Sequence, residues 1–248
     1  MERLDKLLAA TGRWSRREAK ALVKAGRVRV AGVLPQGPED KITPGTPVTV
    51  DGRLVDTESF TYLMLHKPAG VVSATEDARE KTVLDLIPPD LRRRGLFPVG
   101  RLDKDTEGLL LLTNDGALSH QLLSPARHVE KVYYVEVEGQ LDQADQAAFR
   151  RGIILADGTV CRPAGLTVLE EASHGLVAIK EGKYHQVRRM MASRNMTVTY
   201  LERRQEGTLT LGDLPRGRSR EPGGPLLGQN WPICGDKGNH FGIFHKCL

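Results

Sequence analysis

Residues 100–116 read Gly-Arg-Leu-Asp-Lys-Asp-Thr-Glu-Gly-Leu-Leu-Leu-Leu-Thr-Asn-Asp-Gly. The leucines from Leu109 to Leu112 predict a strand, and the Thr-Asn-Asp-Gly segment after them predicts the turn that ends it. The charged residues between Gly100 and Gly108 therefore belong to a loop at the edge of a sheet, where a rigid scaffold can position catalytic groups. Asp103 is a candidate nucleophile or base in this loop. The alternative is that the loop is a solvated acidic turn.

The segments on both sides of this loop alternate irregularly between strand and helix patterns. Strands are predicted at residues 62–65, 132–137, 166–169 and 176–179. Helices are predicted around residues 83–86, 117–123, 143–150 and 186–194. Irregular alternation favours an α+β fold with a mixed, largely antiparallel sheet.

The N-terminal residues predict a smaller, separate unit. Leu4, Leu7 and Leu8 recur at helical spacing, and the pattern ends at Thr11-Gly12. The segment Ser15-Arg16-Arg17-Glu18 fits a capping box, which opens a second helix that runs to Gly26. Residues 27–30 alternate basic and β-branched side chains, as a strand with one polar face does. We therefore expect a helix-helix-strand domain over residues 1–57, followed by a second domain over residues 60–217.

Composition sets the general class of the protein. With 248 residues, 40% of them hydrophobic, the chain can bury a substantial core. No apolar run approaches the roughly 20 residues of a membrane-spanning helix, so we expect no contact with a membrane. Charged residues at the N-terminus argue against a signal peptide, and three scattered cysteines argue against a disulfide framework. These features predict a cytoplasmic protein.

Positive charge is concentrated at the N-terminus. Residues 1–30 hold nine lysines and arginines against three acidic residues, whereas residues 31–214 hold 22 basic and 26 acidic residues. This asymmetry predicts a polyanion-binding module on a nearly neutral body, although a solvated helix face is the simpler alternative. The basic residues expected to contact RNA are Arg3, Lys6, Arg16, Arg17, Lys20, Lys24 and Arg27.

A second polar cluster, residues 181–190, reads Glu-Gly-Lys-Tyr-His-Gln-Val-Arg-Arg-Met. Its cations could pair with a carboxylate or with RNA phosphate, and Tyr184 and His185 could contact bases. The simpler alternative is the start of an amphipathic helix. No phosphate-binding glycine loop occurs elsewhere, so nothing in the sequence indicates a nucleotide cofactor.

A metal site is not expected from the sequence. The residues with metal-binding potential lie near the C-terminus, but their spacing matches no common zinc pattern. They are Cys234, His240, His245 and Cys247.

Several of these segments carry a family resemblance. Residues 3–6, 15–19 and 26–28 together resemble the small alpha-L RNA-binding module first recognised in a ribosomal protein. The Gly-Arg-Leu-Asp loop with the Thr-Asn-Asp-Gly turn, residues 131–135 and residues 182–190 resemble ordered blocks of the RsuA-type pseudouridine synthases. The resemblance covers residues 1 to about 214, and ordered blocks are more specific than any single motif.

The resemblance implies that a uridine within RNA is detached from its sugar, turned and rejoined through carbon 5, with neither cofactor nor metal. It implies that Asp103 is the essential carboxylate and that Arg188 pairs with it and keeps it ionised. Tyr133 would stack on the extruded uracil and help to remove the carbon 5 proton. Residues implied in substrate binding are Arg101, Lys183, Tyr184, His185, Gln186 and Met190.

The resemblance also bears on the RNA target. Tyr184-His185-Gln186 is more similar to the small-subunit (16S) type, because relatives that act on large-subunit RNA tend to carry Asn-Arg there. The expected partner is ribosomal RNA or a ribosomal assembly intermediate, bound by a monomer. The alternatives are a large-subunit (23S) synthase and a non-catalytic rRNA-binding assembly factor. The presence of Asp103, Tyr133 and Arg188 argues against the non-catalytic alternative.

The C-terminal residues 218–248 depart from the family pattern. This stretch combines glycines, prolines, two of the three cysteines and no clear periodicity. Ordering it would cost conformational entropy with few apolar side chains to offset the cost. We therefore expect an atypical, poorly ordered tail without a catalytic group or zinc, and full activity after a stop codon following Gly217.

Overall fold

The computed structural model describes residues 1–11, 13–43, 45–55, 60–92 and 94–222, leaving aside the side chains at positions 90 and 125. The tail expectations for Cys234, His240, His245 and Cys247 lie outside these residues. Among the described helices, none is long and apolar enough to cross a lipid bilayer.

The N-terminal domain contains the two helices expected from the sequence and five short strands. In chain order its elements are β1 (Glu2–Arg3), α1 (Leu4–Ala10), α2 (Arg16–Lys24), β2 (Val28–Val30), β3 (Lys41–Ile42), β4 (Val48–Val50) and β5 (Arg53–Val55). The capping box at α2 is confirmed. The Ser15 hydroxyl accepts a hydrogen bond from the Glu18 backbone at 3.2 Å, and the Glu18 carboxylate accepts one from the Ser15 backbone at 2.7 Å. These bonds satisfy backbone donors that a helix start leaves free.

This domain has its own hydrophobic core. Strand β1 pairs with β3, and β2, β4 and β5 form a separate antiparallel sheet. The two helices and these strands enclose a single cluster, which includes Leu4, Leu8, Val28 and Val48, all fully buried. Because this cluster contains none of the described side chains beyond residue 55, the domain has the packing of an independent unit.

The second domain is built on a nine-stranded sheet. Its strands are β6 (Tyr62–Lys67), β7 (Phe97–Pro98), β8 (Glu107–Thr113), β9 (Lys131–Glu138), β10 (Gly165–Val168), β11 (His174–Ile179), β12 (Thr197–Glu206), β13 (Leu209–Thr210) and β14 (Ser219–Arg220). Its α-helices are α3 (Pro89–Arg92), α4 (Gly116–Leu123), α5 (Gln143–Arg151) and α6 (Gln186–Ala192), with 3-10 turns at Val83–Leu86 and Pro125–Arg127.

The strand order is β10-β11-β9-β12-β8-β6-β14, with β7 paired to β8 and β13 to β12. Strands β12 and β8 run parallel, and the other strand pairs of the described residues are antiparallel. The expected α+β fold with a mixed, largely antiparallel sheet is confirmed.

The leucine run of β8 is explained by burial on both faces of the sheet. Leu110 and Leu112 belong to the larger hydrophobic cluster, whereas Leu109 and Leu111 belong to a smaller cluster on the opposite side. All four are at most 2% exposed. A strand covered on both faces has no polar face, so its sequence shows a continuous apolar run rather than alternation.

Strand β12, which pairs with both β8 and β9, escaped the sequence analysis. Its sequence, Thr-Val-Thr-Tyr-Leu-Glu-Arg-Arg-Gln-Glu, is mostly polar and resembles a surface segment. In the fold, Arg203 and Glu206 are each 2% exposed and lie 3.2 Å apart, and Arg203 Nε donates to the Leu109 carbonyl at 2.7 Å. Charges that are buried as a pair cannot be recognised from hydropathy.

The structure extends the second domain past the expected boundary at residue 217. Ser219 and Arg220, which the sequence analysis assigned to the tail, form β14 and pair with β6. His66 and the segment that precedes β14 also exchange backbone hydrogen bonds: His66 donates to the Arg218 carbonyl at 3.0 Å and accepts from Gly217 at 2.8 Å. Strand β14 has no apolar pattern because its pairing rests on backbone hydrogen bonds to β6.

Candidate active site

A pocket of about 490 Å³ opens where three segments meet in the second domain. Its walls include residues 101–104 and Thr106 of the charged loop, Tyr133 on β9, and residues 182–187 at the start of α6. The pocket therefore unites the two charged clusters of the sequence with Tyr133, the aromatic residue of the family block at residues 131–135. Seven of the nine expected catalytic and substrate-binding residues line it: Arg101, Asp103, Tyr133, Lys183, Tyr184, His185 and Gln186.

The loop that carries Asp103 is hydrogen-bonded to Lys67, the last residue of β6. The Lys67 side chain is fully buried, and its Nζ donates to the carbonyls of Asp103, Lys104 and Thr106 at 2.9, 3.2 and 2.8 Å. Burial lowers the pKa of Lys67 to about 8, so the ammonium remains mostly charged at pH 7. The sequence pattern assigned no role to this lysine. The sequence feature that could have indicated this role is the position of Lys67 at the end of a mostly apolar strand.

A second anchor holds the same loop at Leu102. The Ser73 hydroxyl accepts from the Leu102 backbone N–H at 3.0 Å and donates to the Leu102 carbonyl at 2.9 Å. Ser73 is buried, and it lines the pocket together with Leu102. Two anchors on adjacent residues therefore restrict the backbone from which the Asp103 side chain extends.

The side chain that faces the Asp103 carboxylate is different from the one expected. Arg188 pairs with Asp105, at 2.9 Å, and donates to the Val198 carbonyl at 3.2 Å, so the expected Arg188–Asp103 ion pair is replaced. Asp103 instead faces His185, whose Nε2 lies 3.5 Å from Asp103 Oδ1. The two aspartates are only two residues apart, and motif matching cannot tell which of them a distant arginine contacts.

Tyr133 forms a buried wall of the pocket and is 9% exposed. Burial raises the pKa of the phenol, while the guanidinium of Arg203 acts in the opposite direction. A phenol with a raised pKa remains protonated near neutral pH, so it offers an aromatic face and a hydroxyl rather than a phenolate base.

Arg203 is the residue of this region that sequence reasoning missed. Arg203 is the cross-strand neighbour of Tyr133 in the pairing of β12 with β9, and its guanidinium carries the Glu206 ion pair described above. Lys131 Nζ lies 4.0 Å from the same Glu206 carboxylate. The signal available in the sequence was the i, i+3 spacing of Arg203 and Glu206, which is also common on exposed surfaces.

The segment before α6 is organised by Glu181. The Glu181 carboxylate accepts from Gln186 Nε2 at 2.6 Å and pairs with the Lys183 ammonium. Gln186 Oε1 in turn accepts from the Lys183 backbone at 2.9 Å. The polar groups of Gln186 are therefore engaged within the protein, which favours a positioning role. Met190 is fully buried beneath Gln186 rather than on the pocket wall, which corrects the expectation that it lines the pocket.

The basic residues of the N-terminal domain form a groove on one face of α2. The residues that line this groove are Arg16, Arg17, Lys20, Ala21 and Lys24. The buried Asp5 carboxylate accepts two hydrogen bonds from Arg3, both 3.0 Å, and lies 3.4 Å from Arg16 and 3.8 Å from Lys20. The hydrogen bonds and charges of Arg3 and Arg16 hold the pKa of Asp5 below its ordinary value. Lys6 and Arg27 lie apart, paired with Glu2 and Asp51.

One buried group near β6 has the composition of a metal site. Its ligand atoms, all within 4.8 Å of one another, belong to His66, Glu107 and Glu202. Both carboxylates already have cationic partners, however: Arg216 lies 2.7 Å from Glu107, and Arg204 lies 3.0 Å from Glu202. Tyr200 donates to both of them, and His66 Nδ1 lies 2.8 Å from the Leu214 carbonyl. The group is therefore an internal ion-pair network that ties residues 214–216 to the sheet.

Comparisons with known families agree with this geometry. Residues 61–193 match the RNA pseudouridylate synthase family, and residues 2–48 match the S4 domain. The first match contains the pocket segments from 101 to 187, and the second contains the basic groove. A crystal structure of a pseudouridylate synthase superposes with a TM-score of 0.62 and 32% identity, over 89% of this chain and 96% of that one.

Individual relatives point to the same activity. The chain is 46% identical to the uncharacterized RNA pseudouridine synthase YtzG of Bacillus subtilis, over 88% of this chain and 94% of the relative. It is 41% identical to ribosomal small subunit pseudouridine synthase A of Pseudomonas aeruginosa, with coverage of 88% and 95%. Its identity to ribosomal large subunit pseudouridine synthase B of Bacillus subtilis is 36%, with coverage of 89% and 92%. The chain belongs to the RNA pseudouridylate synthase family and is an RNA pseudouridine synthase with an N-terminal S4 domain.

Proposed function

We propose that this enzyme converts a uridine of small-subunit ribosomal RNA to pseudouridine, with Asp103 as the reacting carboxylate. The observation that carries the assignment of Asp103 is its position: an anchored loop presents it to a pocket that has Tyr133 as a buried aromatic wall. Small-subunit RNA is favoured by Tyr184-His185-Gln186 and by the higher identity to a small-subunit synthase than to a large-subunit one.

The pocket fits the requirements of the isomerisation. A uridine inside folded RNA must leave its stack before a protein group can reach its glycosidic bond. Tyr133 supplies an aromatic face for the extruded base, and such stacking contributes roughly 1–3 kcal/mol per base. Asp103 attacks the sugar or removes its proton, which releases the base. The base then turns within the pocket, and carbon 5 bonds to carbon 1′ of the sugar. As this bond forms, the bond from Asp103 to the sugar breaks or, on the second route, Asp103 returns the proton that it removed from the sugar. Carbon 5 then loses its own proton, and nitrogen 1 gains one.

Arg188 has a role that is consistent with its observed partner. Its ion pair with Asp105 connects α6 to the loop two residues beyond Asp103, and its side chain is about one-fifth exposed. We assign it to positioning of the loop rather than to direct contact with the Asp103 carboxylate.

The S4 domain binds the RNA at a distance from the reacting uridine. A groove with four cations on one helix can follow successive phosphates, as nucleic-acid affinity requires. The partner is ribosomal RNA, either free or within an assembly intermediate, and the enzyme acts as a monomer in the cytoplasm where ribosomes are assembled.

Pseudouridine mapping tests both the activity and the target. The modification sites of 16S and 23S rRNA are compared among parent cells, cells that lack the gene, and deleted cells that express the parent or the Asp103→Asn protein. We expect one 16S site to disappear on deletion, to return with the parent enzyme and to stay absent with Asp103→Asn. The Asn side chain keeps the shape but removes the charge, so purified Asp103→Asn should bind the RNA with an affinity within about twofold of the parent.

Other outcomes would reject parts of the proposal. Loss of a 23S site would show a large-subunit enzyme, and an unchanged map would indicate an rRNA-binding assembly factor. Restoration of the site by Asp103→Asn would show that another group performs the chemistry.

A further inference from the structure

Tyr184 is an exposed aromatic residue at the mouth of the pocket. It is 76% exposed, although it belongs to the pocket wall. Its ring stacks on that of His185, with ring centroids 3.9 Å apart and an angle of 16° between the planes. Because one face of the tyrosine is covered by His185 and the residue is mostly exposed, the other face is open to solvent.

The backbone holds this stacked pair in place. His185 adopts the left-handed conformation, with φ 46° and ψ 36°, directly before α6. A residue other than glycine keeps that conformation only when the surrounding structure imposes it. Here the Gln186 backbone donates to the Lys183 carbonyl at 3.1 Å, and the Arg189 guanidinium donates to the Tyr184 carbonyl at 3.4 Å. These hydrogen bonds hold the backbone of Tyr184 and His185 in place before RNA binds.

The pair lies beside the catalytic carboxylate, with His185 Nε2 3.5 Å from Asp103 Oδ1. His185 is the inner ring and Tyr184 the outer ring of a stack that leads away from Asp103. Tyr133, the wall available to the target base, is buried. The two tyrosines therefore offer separate surfaces: one inside the pocket and one at its entrance.

We propose that Tyr184, supported by His185, is a stacking site for an unpaired base next to the target uridine. When the target is extruded, its neighbours lose one stacking partner, and an open aromatic face replaces that partner. An aromatic ring accepts any base, and the contribution of about 1–3 kcal/mol per base affects binding rather than chemistry. The inference rests on the proposed RNA substrate and concerns how the pocket recognises the surroundings of the target.

The test is a double-mutant cycle between the protein and the RNA. Synthetic RNAs carry the mapped uridine with an abasic nucleotide at one neighbouring position at a time. Single-turnover reactions measure the rate and the half-saturating enzyme concentration for the parent and for Tyr184→Ala. We expect one abasic position to raise the parent's half-saturating concentration about tenfold, and Tyr184→Ala to raise it about tenfold on the intact RNA. The two changes together should also give about tenfold, because they remove the same contact.

Control variants separate stacking from other effects. Tyr184→Phe keeps the ring and should keep parental binding. Phe60→Ala removes another large exposed side chain, 55% exposed and outside the pocket wall, and should leave the half-saturating concentration unchanged on every RNA.

Two results would overturn the inference. They are an unchanged half-saturating concentration for Tyr184→Ala and additive effects of Tyr184→Ala and the abasic nucleotide at every neighbouring position. In each case the parent still forms pseudouridine, so the outcome is distinct from failure of the proposed function.

Discussion

At the scale of single residues, the position of Asp103 depends on groups outside the set of expected catalytic residues. Lys67 donates to three carbonyls of the loop and to the Pro68 carbonyl at 3.1 Å. Its ammonium therefore replaces the water that would otherwise solvate these carbonyls. A buried acceptor that loses its donor costs about 1–3 kcal/mol.

Removal of the Lys67 ammonium should destabilise the loop and displace Asp103. Lys67→Met keeps the aliphatic length but leaves the loop carbonyls without a buried donor. We expect the free energy of unfolding to fall by about 3 kcal/mol and kcat to fall at least tenfold. Urea denaturation and single-turnover kinetics measure the two effects.

Lys180→Met is the matched control. Lys180 is half-exposed and lies 3.9 Å from Glu130, and a surface pair of this kind contributes less than about 1 kcal/mol. If Lys67→Met were as stable and active as Lys180→Met, the anchoring role of Lys67 would be wrong.

At the scale of elements, the close approach of β8 and β12 depends on one glycine. Gly108 has a φ of 105°, and a Cβ atom there would lie 2.3 Å from the Arg203 carbonyl oxygen. The parallel pairing of these strands joins the Asp103 loop, which precedes β8, to Arg203, the cross-strand neighbour of Tyr133. The pocket therefore requires glycine at this position for steric reasons.

Gly108→Ala should separate the two strands. Because backbone atoms cannot move aside as a flexible side chain can, we expect a loss of more than about 2 kcal/mol in the free energy of unfolding. The loss of activity should be larger than global unfolding explains. Gly116→Ala is the control, because a Cβ atom added at this first residue of α4 would meet no described atom within 4 Å. Equal stability of the two variants in urea would contradict the steric explanation.

At the scale of the whole molecule, binding and chemistry are assigned to different domains. The S4 domain has its own core and carries the basic groove, whereas the pocket lies wholly in the second domain. Changes in the S4 domain should therefore alter RNA affinity and its salt dependence without altering the rate of the chemical step. Each cation that neutralises a phosphate contributes roughly 0.7–0.9 to the slope of log K against log salt concentration.

Removal of the S4 domain should flatten the salt dependence of RNA binding. A chain that begins at Phe60 loses the four groove cations, and the slope should decrease by about 3. The double substitution Arg17→Gln and Lys24→Gln in the full chain should decrease it by about 1.5 without loss of the domain. Filter binding across a range of KCl concentrations measures the slopes. An unchanged slope in both proteins would place the RNA contacts elsewhere.

The C-terminal boundary can be tested by two truncations that differ by five residues. A stop codon after Pro222 keeps β14 and should leave stability and activity close to those of the full chain. A stop codon after Gly217 removes β14, its pairing with β6 and the ion pair between Arg220 and Asp213 at 2.8 Å. We expect that loss to cost about 2 kcal/mol of unfolding free energy. Equal thermal stability of the two truncated proteins would show that β14 contributes nothing to the domain.

The sequence by itself determined the features that depend on residues close together along the chain. The capping box of α2, the leucine strand β8 and the turn after it follow from short-range hydrogen bonding and from periodicity. The candidate residues of the two charged clusters were also identified because the blocks occur in order along the chain. Arg101, Asp103, Lys183, Tyr184, His185 and Gln186 of these clusters converge with Tyr133 on one pocket.

Only the tertiary structure decided which distant groups meet. Arg188 pairs with Asp105 rather than Asp103, Lys67 anchors a loop almost 40 residues away, and the polar strand β12 lies inside the sheet. A buried charge and an exposed charge look the same in a sequence, because the energy of each depends on partners that folding brings together. Local patterns therefore predicted most of the elements and selected Asp103 as a candidate, whereas three-dimensional packing decided the partners that position it.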